Sequence, residues 1–163
     1  MSLDSIHNHR GDYLSLSQFG EFQPNRFPFL FIDRVTSLDP GVYAAGYKNL
    51  SHNEWYFPVH FPGHPNMPGA LQLEAMAQML TIALTSSFGL AGKVTHALSH
   101  QVRFRKEVVP GDRLELEATV LSWKRGICKG TGVGTTDGEV ACEAEMVITV
   151  PEILESFLPQ RKR

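Results

Sequence analysis

The chain has 163 residues, of which 42% are hydrophobic and 20% are charged, and its formal net charge is -2 at pH 7. These values are typical of one globular domain and exclude a disordered or fibrous chain. The small negative charge provides no global field that attracts nucleic acid, so no nucleic-acid partner is expected. The sequence therefore predicts a single domain over residues 1–163.

Hydrophobic periodicity and turn signals predict eight elements in chain order. They are a short helix over residues 13–22, strands over 29–38 and 42–50, a long helix over 69–87, and strands over 95–108, 113–123, 127–136 and 139–150. Residues 1–24 carry weak signals and are expected to be weakly structured. The alternating strands predict an antiparallel sheet with one covered face, in which the last four strands form a meander. The fold class is therefore predicted to be α+β.

The long predicted helix is apolar nearly all round, and Glu74 is its only charged residue. Gln78, Thr81 and Thr85 follow Glu74 at offsets of four, seven and eleven, which gathers the polar positions into one narrow stripe. Its apolar part is shorter than the roughly 20 residues that a membrane span needs. We therefore expect a buried helix inside the wrap of the sheet, and no membrane partner.

The cysteines and the N-terminal sequence indicate the cellular compartment in which the protein is expected. Cys128 and Cys142 lie in alternating apolar runs without metal-ligand spacing, so they are expected to be reduced core residues. The N-terminus has no basic segment followed by an apolar core, so we expect no secretory signal. Both features indicate a cytoplasmic protein.

The loop "HFPGHPNMPG" at residues 60–69 precedes the helix and contains two histidines, three prolines and two glycines. Proline fixes φ and glycine permits unusual backbone angles, so the pattern predicts a loop held in one shape. Burial is expected to raise the pKa of Glu74, while His60 remains available to accept a proton. The first N–H groups of the helix, around Gly69, are free to bind an oxyanion. Together these groups suit proton abstraction beside a thioester, with loss or gain of a β-substituent.

Other interpretations of the histidines remain open at this point. His60, His64 and Glu74 as metal ligands form a competing site, which is disfavoured because the two histidines lie in a Pro/Gly loop and not on one helix face. His96 and His100 are expected to be surface or groove residues.

Four segments resemble the β-hydroxyacyl-acyl carrier protein dehydratases of fatty acid synthesis, a family with the hot dog fold. They are "RFPFLFIDRV" at 26–35, "HFPGHPNMPGALQLEAMAQ" at 60–78, "VRFRKEVVPGDRLEL" at 102–116 and "DGEVACEAEM" at 137–146. The second segment is highly specific and the others support it. The resemblance implies a long central helix wrapped by a curled antiparallel β-sheet.

By this resemblance His60 is the catalytic histidine, Glu74 the catalytic acid, and the Gly69 N–H the group that polarises the thioester carbonyl. Gln78 and His64 have supporting roles. The resemblance also implies no metal and no organic cofactor, a substrate carried on the phosphopantetheine arm of acyl carrier protein, and a homodimer or a trimer of dimers with the acyl tunnel at the dimer interface.

Two sets of residues refine the resemblance. Glu74 and Gly63-His64-Pro65 stand where the dehydratase-isomerase branch usually has aspartate and "GDP", which indicates the dehydratase-only branch. Val59, Thr95 and His96 depart from the residues common in the family, and they leave the tunnel shape and acyl-chain length open.

A basic cluster offers a surface for the acidic carrier protein. It consists of Arg103, Arg105 and Lys106, with Lys124 and Arg125. The alternative interpretation is a solvated strand face followed by a turn.

The expected reaction is dehydration of a (3R)-3-hydroxyacyl thioester of acyl carrier protein to the trans-2-enoyl product. The alternatives are a dehydratase of a specialised polyketide or polyene pathway, a hot dog thioesterase, and a non-catalytic partner subunit.

Overall fold

The computed structural model describes residues 14–159, apart from the side chain of Leu16, and this range forms one six-stranded antiparallel sheet with a long helix against it. The elements are α1 (Leu16–Phe19), β1 (Arg34–Asp39), β2 (Tyr43–Asn49), α2 (Gly69–Thr85), β3 (His96–Phe104), β4 (Arg113–Lys124), β5 (Ile127–Thr136), β6 (Glu139–Thr149) and α3 (Pro151–Glu155). α2 packs on β2, β4, β5 and β6. The predicted α+β architecture is confirmed.

The strand order is β1-β2-β4-β5-β6-β3, with every pair antiparallel. The predicted four-strand meander is therefore wrong in one respect, because β3 pairs with β6 and not with β4. One side of β4 pairs with β2 and the other with β5, so β4 has no edge left for β3. This arrangement makes β3 an edge strand.

The first strand begins later than predicted. The sequence favoured a strand over residues 29–38, whereas β1 begins at Arg34. At residues 29 and 31 the backbone bonds to a side chain: Phe31 N donates to Gln78 Oε1 at 2.9 Å, and Phe29 O accepts from Gln78 Nε2 at 2.8 Å. Pairing with β2 begins only at Asp33, whose N–H donates to Tyr47 O at 2.8 Å. The residues at the start of the predicted strand therefore connect the sheet to α2.

The start of the described chain is better packed than its sequence suggested. Phe19 and Phe22 are buried in the core. Leu14 bridges to Val35, and Thr85 Oγ1 donates to the carbonyl of Phe22 at 2.6 Å. Residues 14–24 are thus attached to both the sheet and α2. The other residues that were expected to be weakly structured, 1–13, lie outside the described residues, and they include the first residue of the predicted helix.

Close packing of α2 on the sheet depends on two glycines of β5. A Cβ on Gly130 would lie 2.5 Å from Leu80 Cδ1, and a Cβ on Gly132 would lie 2.8 Å from Met76 Cβ. Both distances are far below van der Waals contact, so any larger residue would push the helix outward. The glycines therefore set the depth at which α2 lies in the sheet.

Cys128 and Cys142 are both free and fully buried, which confirms them as core residues. Burial raises the pKa of Cys128 to about 12 and that of Cys142 to about 11. Their thiols therefore act as small apolar groups.

The short helix α3 was not predicted from the sequence. Pro151 occupies its first turn, where the missing N–H of proline costs nothing. An ion pair of 2.6 Å between Lys93 and Glu152 ties α3 to the segment after α2. No helix among residues 14–159 has the length and apolar character to cross a membrane.

Candidate active site

Glu74 lies one and a half turns into α2, half-buried, with one carboxyl oxygen held by two amide groups. Gln78 Nε2 donates to Glu74 Oε1 at 2.8 Å, and Asn25 Nδ2 donates to the same oxygen at 3.2 Å. Burial raises the pKa of Glu74, and the hydrogen bonds from Gln78 and Asn25 offset part of that rise. The direction matches the expectation from the sequence, and Oε2 has no hydrogen-bond partner among the described residues.

Gln78 is placed as predicted, one turn beyond Glu74 on the same face of α2. It is 2% exposed, and besides Glu74 its amide bonds to the backbone of Phe29 and Phe31. Because each of its polar atoms is committed, the amide orientation is fixed and its N–H points at the carboxyl group. Gln78 therefore orients the acid and joins it to the chain before β1.

Asn25 was missed by sequence reasoning, because it lies 49 residues before Glu74 and no local spacing connects the two. The buried side chain of Gln23 positions it. Gln23 Oε1 accepts from Asn25 N at 2.9 Å, while Gln23 Nε2 donates to Gln78 O at 3.3 Å. The segment after α1 thus supplies a second donor to the acid.

Glu74 opens into a cavity of about 140 Å³ between α2, the segment before β1 and strand β3. Its polar lining consists of Gln23, Asn25, Glu74, Gln78, Thr81, Thr95 and His100, and its apolar lining includes Leu73, Ala77, Ala97 and Ile148. Glu74, Gln78 and Thr81 of the predicted polar stripe therefore face this cavity, whereas Thr85 does not line it. His100, expected at the surface or in a groove, is one of its walls.

His60 lies in the loop before α2 and is half-buried. Its Nδ1 is 3.0 Å from the carbonyl oxygen of Asn66. A carbonyl oxygen only accepts, so Nδ1 carries the proton and Nε2 presents a lone pair. Phe61 stacks on the imidazole at 4.0 Å between ring centroids and restrains its rotation. This tautomer is compatible with the predicted role of His60 as the base, which stays a prediction.

Backbone hydrogen bonds close the loop around His60. Asn66 N donates to His60 O at 2.9 Å, and the N–H groups of Phe61 and His64 each donate to the carbonyl of the other residue. Met67 N donates to Val108 O at 2.7 Å, which fixes the far end of the loop to the chain between β3 and β4. The backbone hydrogen bonds of the loop, and not its prolines alone, thus fix the position of the imidazole.

Gly69 begins α2, and its N–H has no hydrogen-bond acceptor among the described residues. A Cβ at this position would lie 2.7 Å from Cζ of Phe104, so a larger residue would require that ring to move. The free N–H at the positive end of the helix suits a developing negative charge. The role of the Gly69 N–H as an oxyanion donor stays a prediction.

The two proposed catalytic groups are not brought together within one described chain. No hydrogen bond or ion pair joins His60 to Glu74 there, and His60 is not among the residues that line the cavity. Within one described chain, the predicted acid in the cavity and the predicted base on the loop are therefore separate.

The competing metal site is not assembled either. His64 Nε2 lies 3.0 Å from Glu107 Oε1, and both side chains are exposed. Within residues 14–159 no three His, Cys, Asp or Glu side chains are grouped to hold a metal ion. His60, His64 and Glu74 thus do not converge, and His64 contacts the site only through the loop that it shares with His60.

Acidic side chains lie beside three residues of the predicted basic cluster. Arg105 pairs with Glu143 at 2.5 Å, and Arg103 lies 3.8 Å from the same carboxylate. Lys106 pairs with Glu139 at 3.0 Å. Strand β6 places these acids beside the basic residues at the end of β3, so ion pairs offset part of the positive charge, and contact of Arg103, Arg105 and Lys106 with the carrier protein stays a prediction.

Comparison with known sequences connects this geometry to a family. The FabA-like domain family matches residues 23–145. The chain is 46% identical over 140 residues to the 3-hydroxyacyl-(acyl-carrier-protein) dehydratase FabZ of Bacillus licheniformis, covering 85% of this chain and 97% of the relative. It is 46% identical over 138 residues to the protein of the same description from Roseiflexus castenholzii, covering 84% and 96%.

Solved structures share the fold. The dehydratase heterocomplex ApeI:P from Xenorhabdus doucetiae superposes with a TM-score of 0.71 at 16% identity, over 85% of this chain and 95% of the other. Zebra fish thioesterase superfamily member 2 gives a TM-score of 0.63 at 16% identity, over 84% and 99%. These likenesses concern the fold alone and confirm the hot dog architecture. From its sequence matches, the chain belongs to the 3-hydroxyacyl-acyl-carrier-protein dehydratase family.

Proposed function

We propose that the protein is a hydro-lyase that removes water from (3R)-3-hydroxyacyl-acyl carrier protein to give the trans-2-enoyl thioester in fatty acid biosynthesis. The observation that carries this proposal is the arrangement at Glu74. Its pKa is raised by burial, two amides hold Oε1, and Oε2 is left to deliver a proton into the cavity. A carboxyl group held in this way is suited to general acid catalysis.

The chemistry follows from three groups. His60 Nε2 takes the proton from C2 of the acyl chain, and the Gly69 N–H binds the thioester oxygen as negative charge develops there. Glu74 Oε2 gives its proton to the C3 hydroxyl, the C3–O bond breaks, and water leaves as the C2–C3 double bond forms. One side chain accepts the C2 proton and another supplies the proton that leaves with water, so this mechanism needs neither a metal nor an organic cofactor.

A homodimer completes the site in this proposal. β3 has an unpaired edge within the described chain, and its side chains Leu98 and Phe104 are 51% and 50% exposed. Exposed edges and apolar side chains of this kind favour association with a second copy. His60 of one copy then meets Glu74 of the other, which accounts for the separation of the two groups within one chain.

Subunit complementation tests the shared site. His60→Ala and Glu74→Ala homodimers should each be inactive, whereas mixed and reassociated subunits form heterodimers with one intact site. Random mixing then restores about a quarter of the parent activity, since half of the dimers carry one working site of two. If the dyad acted within one chain, no mixture of the two variants would recover activity.

Product analysis separates the alternatives. Incubation with a 3-hydroxyacyl thioester of acyl carrier protein should give the enoyl thioester with the carrier still attached. Release of free carrier thiol would instead indicate the thioesterase. The presence of both His60 and Glu74 argues against a non-catalytic subunit, and a panel of acyl chains separates housekeeping from specialised substrates.

A further inference from the structure

Lys48 is a buried cation of β2 that takes no part in the proposed proton transfers. It occupies a position that the alternation of β2 turns towards the core, and it is 7% exposed. Its Nζ donates to Asn49 O and to Glu54 Oε1, each at 2.7 Å, and to Asp33 Oδ2 at 3.3 Å. All three donors of the ammonium group are therefore used.

The burial of these charges indicates a role in geometry. Desolvation of a buried ion pair offsets much of its attraction, so such a pair adds little to the stability of a fold. The ammonium group nevertheless joins three parts of the chain, namely Asp33 before β1, β2 itself, and Glu54 in the segment 51–59 after β2. Its hydrogen bonds therefore set where segment 51–59 lies against the sheet.

Segment 51–59 leads directly to His60. Phe57 N donates to Glu54 O at 3.2 Å, and farther along the chain His60 N donates to Tyr56 O at 2.9 Å. The fully buried ring of Tyr56 lies near the same ion pairs, because burial raises the pKa of Tyr56 and two neighbouring carboxylates add to the rise. A short series of contacts thus connects the ammonium group to the backbone of the proposed base.

The loop that carries His60 is fixed at its two ends in different ways. At the far end Met67 N donates to Val108 O at 2.7 Å, whereas at the near end the backbone of His60 is bonded to segment 51–59. The bond between the imidazole and Asn66 lies within the loop, so it keeps the tautomer but does not place the loop against the sheet. The near end therefore depends on the contacts of segment 51–59.

We propose that Lys48 is a positioning residue for the base, and that it anchors, through Glu54, the near end of the loop that carries His60. This proposal rests on the proposed dehydratase function. Lys48 does not line the cavity, so it acts through the loop and not on the substrate. A misplacement of about 1 Å can lower a rate by about 100-fold, so loss of the anchor should lower kcat while the substrate still binds.

The test removes the ion pair with two variants. Lys48→Met alone leaves the carboxylate of Glu54 without its cation, whereas Lys48→Met/Glu54→Gln removes both charges, and Asp33 keeps its hydrogen bond from the backbone of β2. The double variant should fold and lose about 10-fold or more in kcat, with KM within about two-fold of the parent. Lys93→Met/Glu152→Gln makes the same changes at an ion pair beside α3 and is the matched control. It should retain the parent kcat.

Hydrogen exchange gives a second result that does not depend on activity. In Lys48→Met/Glu54→Gln the His60 amide should exchange about 10-fold faster than in the parent protein, because its bond to Tyr56 lies on the released segment. The Met67 amide at the far end should keep its protection. A role in overall stability would instead raise exchange throughout the core strands.

Three results would overturn the inference while the dehydratase function stands. They are a folded double variant with the parent kcat, exchange that rises evenly along the chain, and failure of both variants to fold, since the last two show that Lys48 supports the whole fold. If the parent protein dehydrates no 3-hydroxyacyl-acyl carrier protein, the proposed function itself is wrong. Hydrogen exchange at His60 then still decides whether Lys48 anchors the loop.

Discussion

Replacing Glu74 by glutamine tests the proposed acid with little change in shape. In the structure both Gln78 and Asn25 donate to Oε1, and the oxygen of an amide can accept both bonds in the same place. The NH₂ group then takes the position of Oε2, where it has no acidic proton to transfer. We therefore expect Glu74→Gln to fold with a stability within about 0.5 kcal/mol of the parent, as for a substitution that preserves its hydrogen bonds.

The expected loss of activity follows from the role of the missing proton. A positioned general acid contributes about 10²- to 10⁴-fold to the rate. At about 1.36 kcal/mol for each factor of ten, this corresponds to roughly 3–5 kcal/mol of barrier. The loss should fall on kcat with little change in KM, because Glu74 acts in the transition state. His60→Ala should lose at least about 100-fold, and the double variant should lose far less than the product of the two losses.

The assay follows formation of the conjugated enoyl thioester from 3-hydroxyacyl-acyl carrier protein, with thermal unfolding and light scattering as checks on the fold and the assembly. Glu145→Gln is the matched control, because Glu145 is an exposed carboxylate on β6 outside the cavity lining. It should retain the parent rate. A folded Glu74→Gln protein that dehydrates substrate at nearly the parent rate would show that Glu74 is not the acid.

Four further outcomes are expected. The hydrogen bond from Asn25 lowers the pKa of Glu74, so Asn25→Ala should raise that pKa and move the alkaline limb of the pH–rate profile to higher pH; a shift to lower pH would contradict this electrostatic account. Light scattering at micromolar concentration should show a dimer or a larger assembly of dimers, and a monodisperse monomer would contradict the shared site. Activity should survive chelation, whereas loss that one metal restores would overturn the unaided mechanism. Cys128 and Cys142, with pKa values of about 12 and about 11, should resist alkylation at mildly alkaline pH until the protein is unfolded, as mass spectrometry would show.

The features predicted correctly from the sequence are those encoded by local spacing. The apolar run with one acid predicts α2 and the burial of Glu74, and the four-residue offset places Gln78 beside it. The Pro/Gly pattern predicts a loop of defined shape before the helix. Each of these inferences uses residues within a few turns of one another, where geometry depends little on the rest of the chain.

The features missed by the sequence depend on contacts between distant segments. Asn25 reaches Glu74 across 49 residues, and the strand expected from residue 29 is displaced because Gln78 takes the backbone bonds of Phe29 and Phe31. The register of β3 against β6 shifts between Ala97 and Ser99. Periodicity within a single segment cannot reveal a bulge or a side chain that replaces a neighbouring strand.

The two halves of the proposed site are supported in different ways, and the difference bears on assembly. Donors from two segments hold the acid, and its partner Gln78 is itself bonded to the chain before β1. The base is held by its own loop, where Asn66 fixes the tautomer and Phe61 restrains the ring. Contacts within one chain thus position each half without the other. The proposed mechanism then requires the two halves to meet between two copies. Preorganised halves of this kind lose little further conformational entropy when two copies associate, which favours a site completed by the dimer.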